Sequence, residues 1–295
     1  MAQTGRDIKR RMNTIRSIQQ ITKAMEMVAA SKLRQAQKSA EATRPYFARL
    51  QQSLSRALAA AERVGEELPP IARSRQGDRH CLVVVTSERG LAGGYNANIL
   101  RRASEFTAQH PKTMLVVVGR KARDYFRRRN RDTLGEFVNL GDNITTGQAH
   151  QIGQMIYDFY VHDLFDKASI LYTRFINTVT HRVELRPILP IGDAYTGGEQ
   201  ETQAAFDPVY FYEPSLSQVI DVVVPLLIDA AIFQSLMEAK ASEFGARMTA
   251  MRNASDNAGE LIKELTLSFN RARQAAITKE IAEIVGGADA LERVR

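Results

Sequence analysis

The chain has 295 residues, 44% hydrophobic and 25% charged, with a formal net charge of +7 and one cysteine. That is long enough for two domains, or one domain and an extended element, around a substantial buried core. A lone cysteine excludes an internal disulfide, and the longest apolar run, Val222 to Ile228 around Pro225, is too short for a bilayer span. No secretory signal is visible, since Met1-Ala2-Gln3-Thr4 leads directly into charged residues.

The charge is unevenly placed. Residues 1–44 hold ten Lys/Arg and three Asp/Glu, so the other residues sum to zero. Blocks of this kind suit an acidic partner, whether nucleic acid, an anionic surface or acidic protein loops. In the same stretch Ile8, Met12, Ile15, Ile18, Thr22, Met25, Ala29, Leu33 and Ala36 recur at steps of three and four. This spacing predicts one long amphipathic helix of about 60 Å. Pro45 is expected to kink or interrupt it, with a further helix from Tyr46 to Glu67.

Next the pattern changes to alternating strands and helices. Cys81–Thr86 reads as a buried strand, and Cys81 as a buried structural thiol. The glycine-bearing stretch Ser87-Glu88-Arg89-Gly90-Leu91-Ala92-Gly93-Gly94-Tyr95-Asn96 then opens a helix to about Gln109. Phosphate loops occupy such places, but this one lacks the Lys-Ser/Thr of a Walker loop and does not match G-x-G-x-x-G. A tight turn with close packing is the plainer reading. Met114–Val118 is a second strand, followed by a helix to about Arg129, a weak strand at Phe137-Val138 and a helix from Gly147 to Asp163. Residues 170–176 and Arg182–Leu189 read as strands that pair, and Gly192–Ala205 as a surface loop. The alternation indicates a Rossmann-like α/β unit with a mainly parallel sheet.

The cluster Arg120, Lys121, Arg123, Arg127, Arg128, Arg129 and Arg131 encloses Tyr125 and Phe126. Stacked bases would suit it, and so would a solvated helix face with both rings turned inward. The five histidines are scattered without metal-ligand spacing, and no nucleophile–base pattern stands out, so neither a metal nor a cofactor is expected.

From Leu226 to Val285 there is no Pro and only two Gly, Gly245 and Gly259. As one helix this stretch would be about 90 Å long. Within it Met237, Ala241, Phe244, Met248, Met251, Ser255, Ala258, Ile262, Leu265, Phe269, Ala272, Ala276 and Lys279 form a seam of six heptads. Small residues along it allow close approach of a partner helix, and residues 8–36 supply one. The expected fold is α/β plus long helices: an antiparallel coiled coil of the N- and C-terminal helices with an inserted Rossmann-like domain. The segments would be residues 1–68, 75–214 and 215–295.

Ile21 to Leu33 resembles the N-terminal helix motif of the gamma subunits of F-type ATP synthases. Ala250 to Ala258 and Asn270 to Ile281 are similar to the family's C-terminal helix, and Ser87 to Asn96 to its central loop. The resemblance covers the chain in order. It implies a non-catalytic rotor in the central stalk, one copy per complex, with three alpha and three beta subunits, an epsilon subunit and a membrane ring of c subunits as partners. It further implies proton-driven rotation and a position on the cytoplasmic face of a bacterial plasma membrane.

By the same resemblance Lys23, Met25, Arg273 and Gln274 would meet beta loops. Ile281, Ile284 and Val285 would form an apolar tip in the hexamer sleeve, and Glu213, in Tyr210-Phe211-Tyr212-Glu213-Pro214, would contact the membrane ring. Ala92 stands where many relatives have Cys, and the chloroplast two-cysteine insertion is missing. The rival readings are a basic coiled-coil nucleic-acid-binding protein and an α/β enzyme using the glycine loop.

Overall fold

The structure, a computed structural model, describes residues 5–65, 71–73, 75–178, 180–191, 212–213 and 215–292. Two helices dominate: α1, Gly5–Val64, and the last helix, α5, Leu216–Glu292. Between them lie β1 (His80–Val85), α2 (Tyr95–Gln109), β2 (Thr113–Val118), α3 (Arg120–Arg127), β3 (Thr133–Phe137), α4 (Thr146–Val161), β4 (Lys167–Phe175) and β5 (His181–Leu189).

The chain forms two compact units: residues 29–247, and residues 1–28 with 248–295. In the larger unit the sheet order is β3-β2-β1-β4-β5. The first four strands run parallel and β5 pairs antiparallel with β4, which bears out the mainly parallel reading. Alternate residues of β1 point to opposite faces. Cys81, Val83 and Val85 join a core with α4, α5 and the later part of α1, while Leu82 and Val84 join one with α2 and α3. A sheet covered on both faces explains why β1 and β2 read as continuous apolar runs.

Two expectations need correction. Helix α1 continues through Pro45, so of the two outcomes expected there, kink or interruption, the interruption does not occur. Proline in a helix interior costs about 3 kcal/mol, but Leu54, Ala57, Leu58 and Ala61 downstream are all buried against the core, and this holds the helix on. Helix α5 begins at Leu216, ahead of the proline-free stretch and in keeping with the expected 215–295 segment, and runs through Pro225, flanked by buried Val224, Leu227 and Ile228. Ser215 starts it, its Oγ accepting the Gln218 N–H at 3.3 Å. Strand β3 ends at Phe137 rather than centring on it, because Thr133, Gly135, Glu136 and Phe137 pair with β2 and Val138 does not. The expected loop at Gly192–Ala205 lies outside the described residues.

One glycine is dictated by close approach. Gly119 has φ +95°, and a Cβ there would stand 2.3 Å from the Thr86 carbonyl oxygen. This brings the ends of β1 and β2 together, with the Thr86 N–H donating to the Val118 carbonyl at 2.8 Å.

Candidate functional site

In an α/β sheet the first place to look for a ligand is where neighbouring strands leave in opposite directions, here the end of β1 between β2 and β4. The glycine loop occupies that place. Its polar groups are turned inward: the Ser87 N–H donates to Asn96 Oδ1 at 3.1 Å, and the Glu88 carboxylate accepts the backbone N–H groups of Asn139 at 2.7 Å and Arg120 at 3.3 Å. The Tyr95 hydroxyl donates to the Ala239 carbonyl of α5 at 3.2 Å, and Arg247 donates to the Gly90 carbonyl at 3.3 Å. Ala92 is buried. The cavity left there, beside Thr86, Glu88, Gly119 and Lys240, holds about 10 Å³. That is room for about one water and no nucleotide. The loop fastens the α/β domain to α5, as the tight-turn reading has it.

In the arginine-rich segment the aromatic rings turn inward while most of the basic side chains are exposed. Phe126 is buried, and the Tyr125 hydroxyl shares a 2.9 Å hydrogen bond with Ser104. Arg123 pairs with Asp124 at 2.8 Å, Arg127 with Glu136 at 3.2 Å, and Arg129 lies over the Tyr125 ring at 3.6 Å. Arg120 donates to Asn139 Oδ1 at 2.7 Å. Neither ring is presented for base stacking, so the nucleic-acid reading finds no support here.

What remains as a working surface is the helix pair of the smaller unit. Most of the predicted seam is present, but Ile18, Ala276 and Lys279 are exposed. Ile8, Met12, Met251, Ser255 and Ala258 are buried, and Ile15, Met25, Met248, Ile262, Leu265 and Phe269 are half-buried. Cross-helix contacts fix direction and register. The Arg252 Nε donates to Glu26 Oε1 at 3.0 Å, the Gln19 amide to the Ser255 carbonyl at 3.4 Å, and the Thr266 hydroxyl to Met12 Sδ at 3.5 Å. One number rises as the other falls, so the pair is antiparallel.

Glu26 is a residue that pattern reading missed. It is 7% exposed and charged. Lys23 Nζ donates to its Oε2 at 3.0 Å while Arg252 holds Oε1. Lys23 first and Arg252 second draw its carboxyl below the ordinary glutamate range, against the opposing effect of burial. The Lys23–Glu26 spacing of three was visible in sequence, but the Arg252 partner requires the register of the folded pair.

Lys23 and Met25 therefore sit on the Glu26 turn, Lys23 exposed and Met25 half-buried. Arg273 and Gln274 are both exposed. Continuing the Met12–Thr266 pairing by seven residues each way sets Gly5 level with Arg273. The same register puts Lys23 near Ser255, so the two predicted contact clusters are about 27 Å apart along the axis. They are two separate places along the pair. Past Ala272 the seam positions Ala276 and Lys279 become exposed, as are Ile281, Ile284 and Val285. On the outward faces Ile18, Ile21, Met27, Val28, Leu261 and Leu267 are also solvent-exposed. A row of exposed apolar side chains interleaved with lysine and arginine fits protein partners rather than water. In the larger unit Glu213 is exposed just ahead of α5.

Helix α5 also contains a stretch apolar enough, by composition alone, to cross a membrane. Its Ile220, Val224, Leu227, Ile228, Ala231 and Ile232 are buried within the protein, while Val222 and Leu226 are exposed.

Comparison with known proteins agrees along the whole chain. A family model described as ATP synthase matches residues 4–291. The ATP synthase gamma chain of Heliobacterium modesticaldum is 46% identical over 290 residues, covering 97% of this chain and 98% of its own. That of Symbiobacterium thermophilum is 45% identical over 294 residues, covering 99% and 100%. Among solved structures, a chain of the Euglena gracilis mitochondrial ATP synthase, in an OSCP/F1/c-ring assembly, aligns with a TM-score of 0.66 at 20% identity. It covers 97% of this chain and 94% of that one. A central stalk/c-ring chain from Tetrahymena thermophila gives 0.63 at 24% identity, covering 80% and 99%. Both share the fold.

Proposed function

The chain belongs to the ATP synthase gamma-chain family, and we propose that it works as the central-stalk rotor of a proton-translocating F-type ATP synthase. The observation that carries this reading is the antiparallel helix pair. Its inner faces are closed by the seam, and its outer faces carry apolar and basic side chains available to other subunits. The chain is a subunit without catalytic residues of its own. Its partners in this reading are three alpha and three beta subunits, an epsilon subunit and the c-subunit ring, with one copy of this chain per complex. Its place is the cytoplasmic face of a bacterial plasma membrane.

The mechanism is population shift by unequal contact. Three chemically identical beta subunits surround a shaft that has no matching symmetry, so each meets a different face. A face that contacts one beta conformation better than another changes that subunit's nucleotide affinity by the difference. Reversing a 1:99 population to 99:1 needs about 5.5 kcal/mol of differential contact. Rotation presents the faces in turn, and ATP hydrolysis turns the shaft backwards by the same linkage. Lys23, Met25, Arg273 and Gln274 are assigned to beta contacts, the exposed Ile281, Ile284 and Val285 to an apolar bearing, and Glu213 to the membrane ring. Non-directional apolar contacts suit a bearing because no hydrogen bond has to break on sliding.

Reconstitution tests this reading. Adding the purified chain to an alpha–beta mixture should raise its ATPase activity severalfold; no increase would overturn the rotor assignment.

A further inference from the structure

Sequence spacing gives no reason to expect a metal site, yet the parallel sheet assembles a set of ligands at the edge opposite the glycine loop. Strand β1 starts at His80 and β2 at Thr113, and these two residues are register partners. The His110 carbonyl, just past α2, accepts both the Thr113 N–H at 3.1 Å and its hydroxyl at 2.7 Å. His110 is thereby fixed beside His80, with ring centroids 4.4 Å apart. Phe106, one turn earlier on α2, packs on both rings, at 5.5 Å from His80 and 4.6 Å from His110.

Asp78 completes the group. Its Oδ1 lies 3.2 Å from His80 Nε2 and 3.7 Å from His110 Nδ1. One ligand atom from each of the three residues falls within 4.8 Å of the others. Bonds of about 2.0–2.1 Å at tetrahedral angles place ligand atoms roughly 3.4 Å apart, and the two Asp78 distances bracket that value.

The loop carrying Asp78 is held in place. Arg79 Nη2 pairs with Asp166 Oδ1 at 2.7 Å and the Arg79 N–H donates to Asp166 Oδ2 at 3.0 Å. A Cβ at Gly77 would overlap the Asp166 carboxylate at 1.9 Å, so only glycine lets the loop pass there. Asp78 itself is largely exposed, which leaves a path from solvent and room for water ligands. Lys167, the register partner of His80 on β4, opposes a cation but leaves the carboxylate charge in place.

We propose that Asp78, His80 and His110 bind an imidazole-preferring first-row divalent cation, with Zn²⁺ as the working probe. Two histidines and one carboxylate leave at least one position for water. The bound ion ties the loop before β1 to the C-terminus of α2. No reaction is assigned to it, and the assignment stands independently of the rotor reading.

The test is calorimetric titration of the intact chain, without a histidine tag, with Zn²⁺ at about pH 7.5. Co²⁺ absorption provides a second readout of tetrahedral coordination. Saturable one-to-one binding is expected, weakened at least about tenfold in Asp78→Asn and in His110→Asn. His150→Asn, whose native histidine pairs with Asp229 at 2.7 Å away from this group, should bind as the parent does. Asp78→Asn is an exposed substitution that leaves the fold intact and so reports on the site alone. No saturable uptake by the parent, or uptake undiminished in Asp78→Asn, would overturn the proposal and leave the three residues as a hydrogen-bonded cluster only.

Discussion

The same two helices meet water differently in the two units. Between Leu227 and Gly245, α5 is buried on most sides, including polar positions such as Ser235, Glu238 and Ser242. Between Met248 and Phe269 only a stripe is buried or half-buried and the rest is exposed. In the larger unit the helix is a core element, and its polar groups must find partners. The Ser242 hydroxyl donates to the Thr173 carbonyl at 2.9 Å, and Arg186 donates to the Ser235 hydroxyl at 3.1 Å. In the smaller unit the helix needs only a seam, so most of its surface is left for others. Buried core is concentrated in one unit and exposed apolar helix surface in the other.

Substitutions sharpen that contrast. Ile228→Ala, in the fully buried part of α5, should destabilise the chain by about 2–5 kcal/mol by denaturant unfolding, since a cavity is left in a packed core. Ala258→Leu, which overfills the narrow seam of the smaller unit, should cost about 1–3 kcal/mol and loosen the pair, seen as faster hydrogen exchange there. A larger loss from Ala258→Leu than from Ile228→Ala would break the comparison. Glu26→Gln, which keeps the shape and removes the charge between Lys23 and Arg252, should cost about 1 kcal/mol. An unchanged stability would show that the pairing is satisfied by the seam alone.

Acid compares the two units through one carboxylate each. Glu26 and Asp166 both have depressed pKa values, Asp166 to about 2 through its hydrogen bonds from Arg79. A depressed carboxylate stabilises the fold fully above its unfolded value, near 4, and loses that stabilisation as pH falls through the folded value. Stability of the Asp166 loop should therefore decline from about pH 4 down to about pH 2. Parent and Asp166→Asn melting curves should converge over that range; a difference that persists below it counts against the ion pair as the cause. The smallest folding effect belongs to Arg273→Ala. An exposed position should change stability by less than about 0.5 kcal/mol. In the assembled complex it should lower coupled synthesis and hydrolysis, and unchanged rates would remove Arg273 from the contact set.

Much of this division was legible in the sequence. The four-three spacing of Ile8 to Ala36 and of Met237 to Lys279 gave both halves of the seam, and the apolar runs at Cys81 and Met114 gave the central strands. Pro45 misled in part, because the local cost of proline is set against packing that only the folded neighbours supply. Glu26 was hidden for a related reason: its partner Arg252 is 226 residues away. His80 and His110 sit in unrelated segments until parallel pairing of β1 with β2 aligns them.

The antiparallel seam has one further consequence. A heptad pattern repeats every seven residues, so hydrophobic spacing alone permits the helices to slip by seven and seal again. In the register observed Glu26 faces Arg252. One heptad either way would set it against Gly245 or Gly259, the two glycines between Leu226 and Val285. Each wrong alignment leaves the buried carboxylate with Lys23 alone, no cation across from it and no side chain to fill the gap, which disfavours that register. A single arginine flanked by two glycines thus acts as an index mark, and a shaft under torque keeps its length setting because the neighbouring notches are empty.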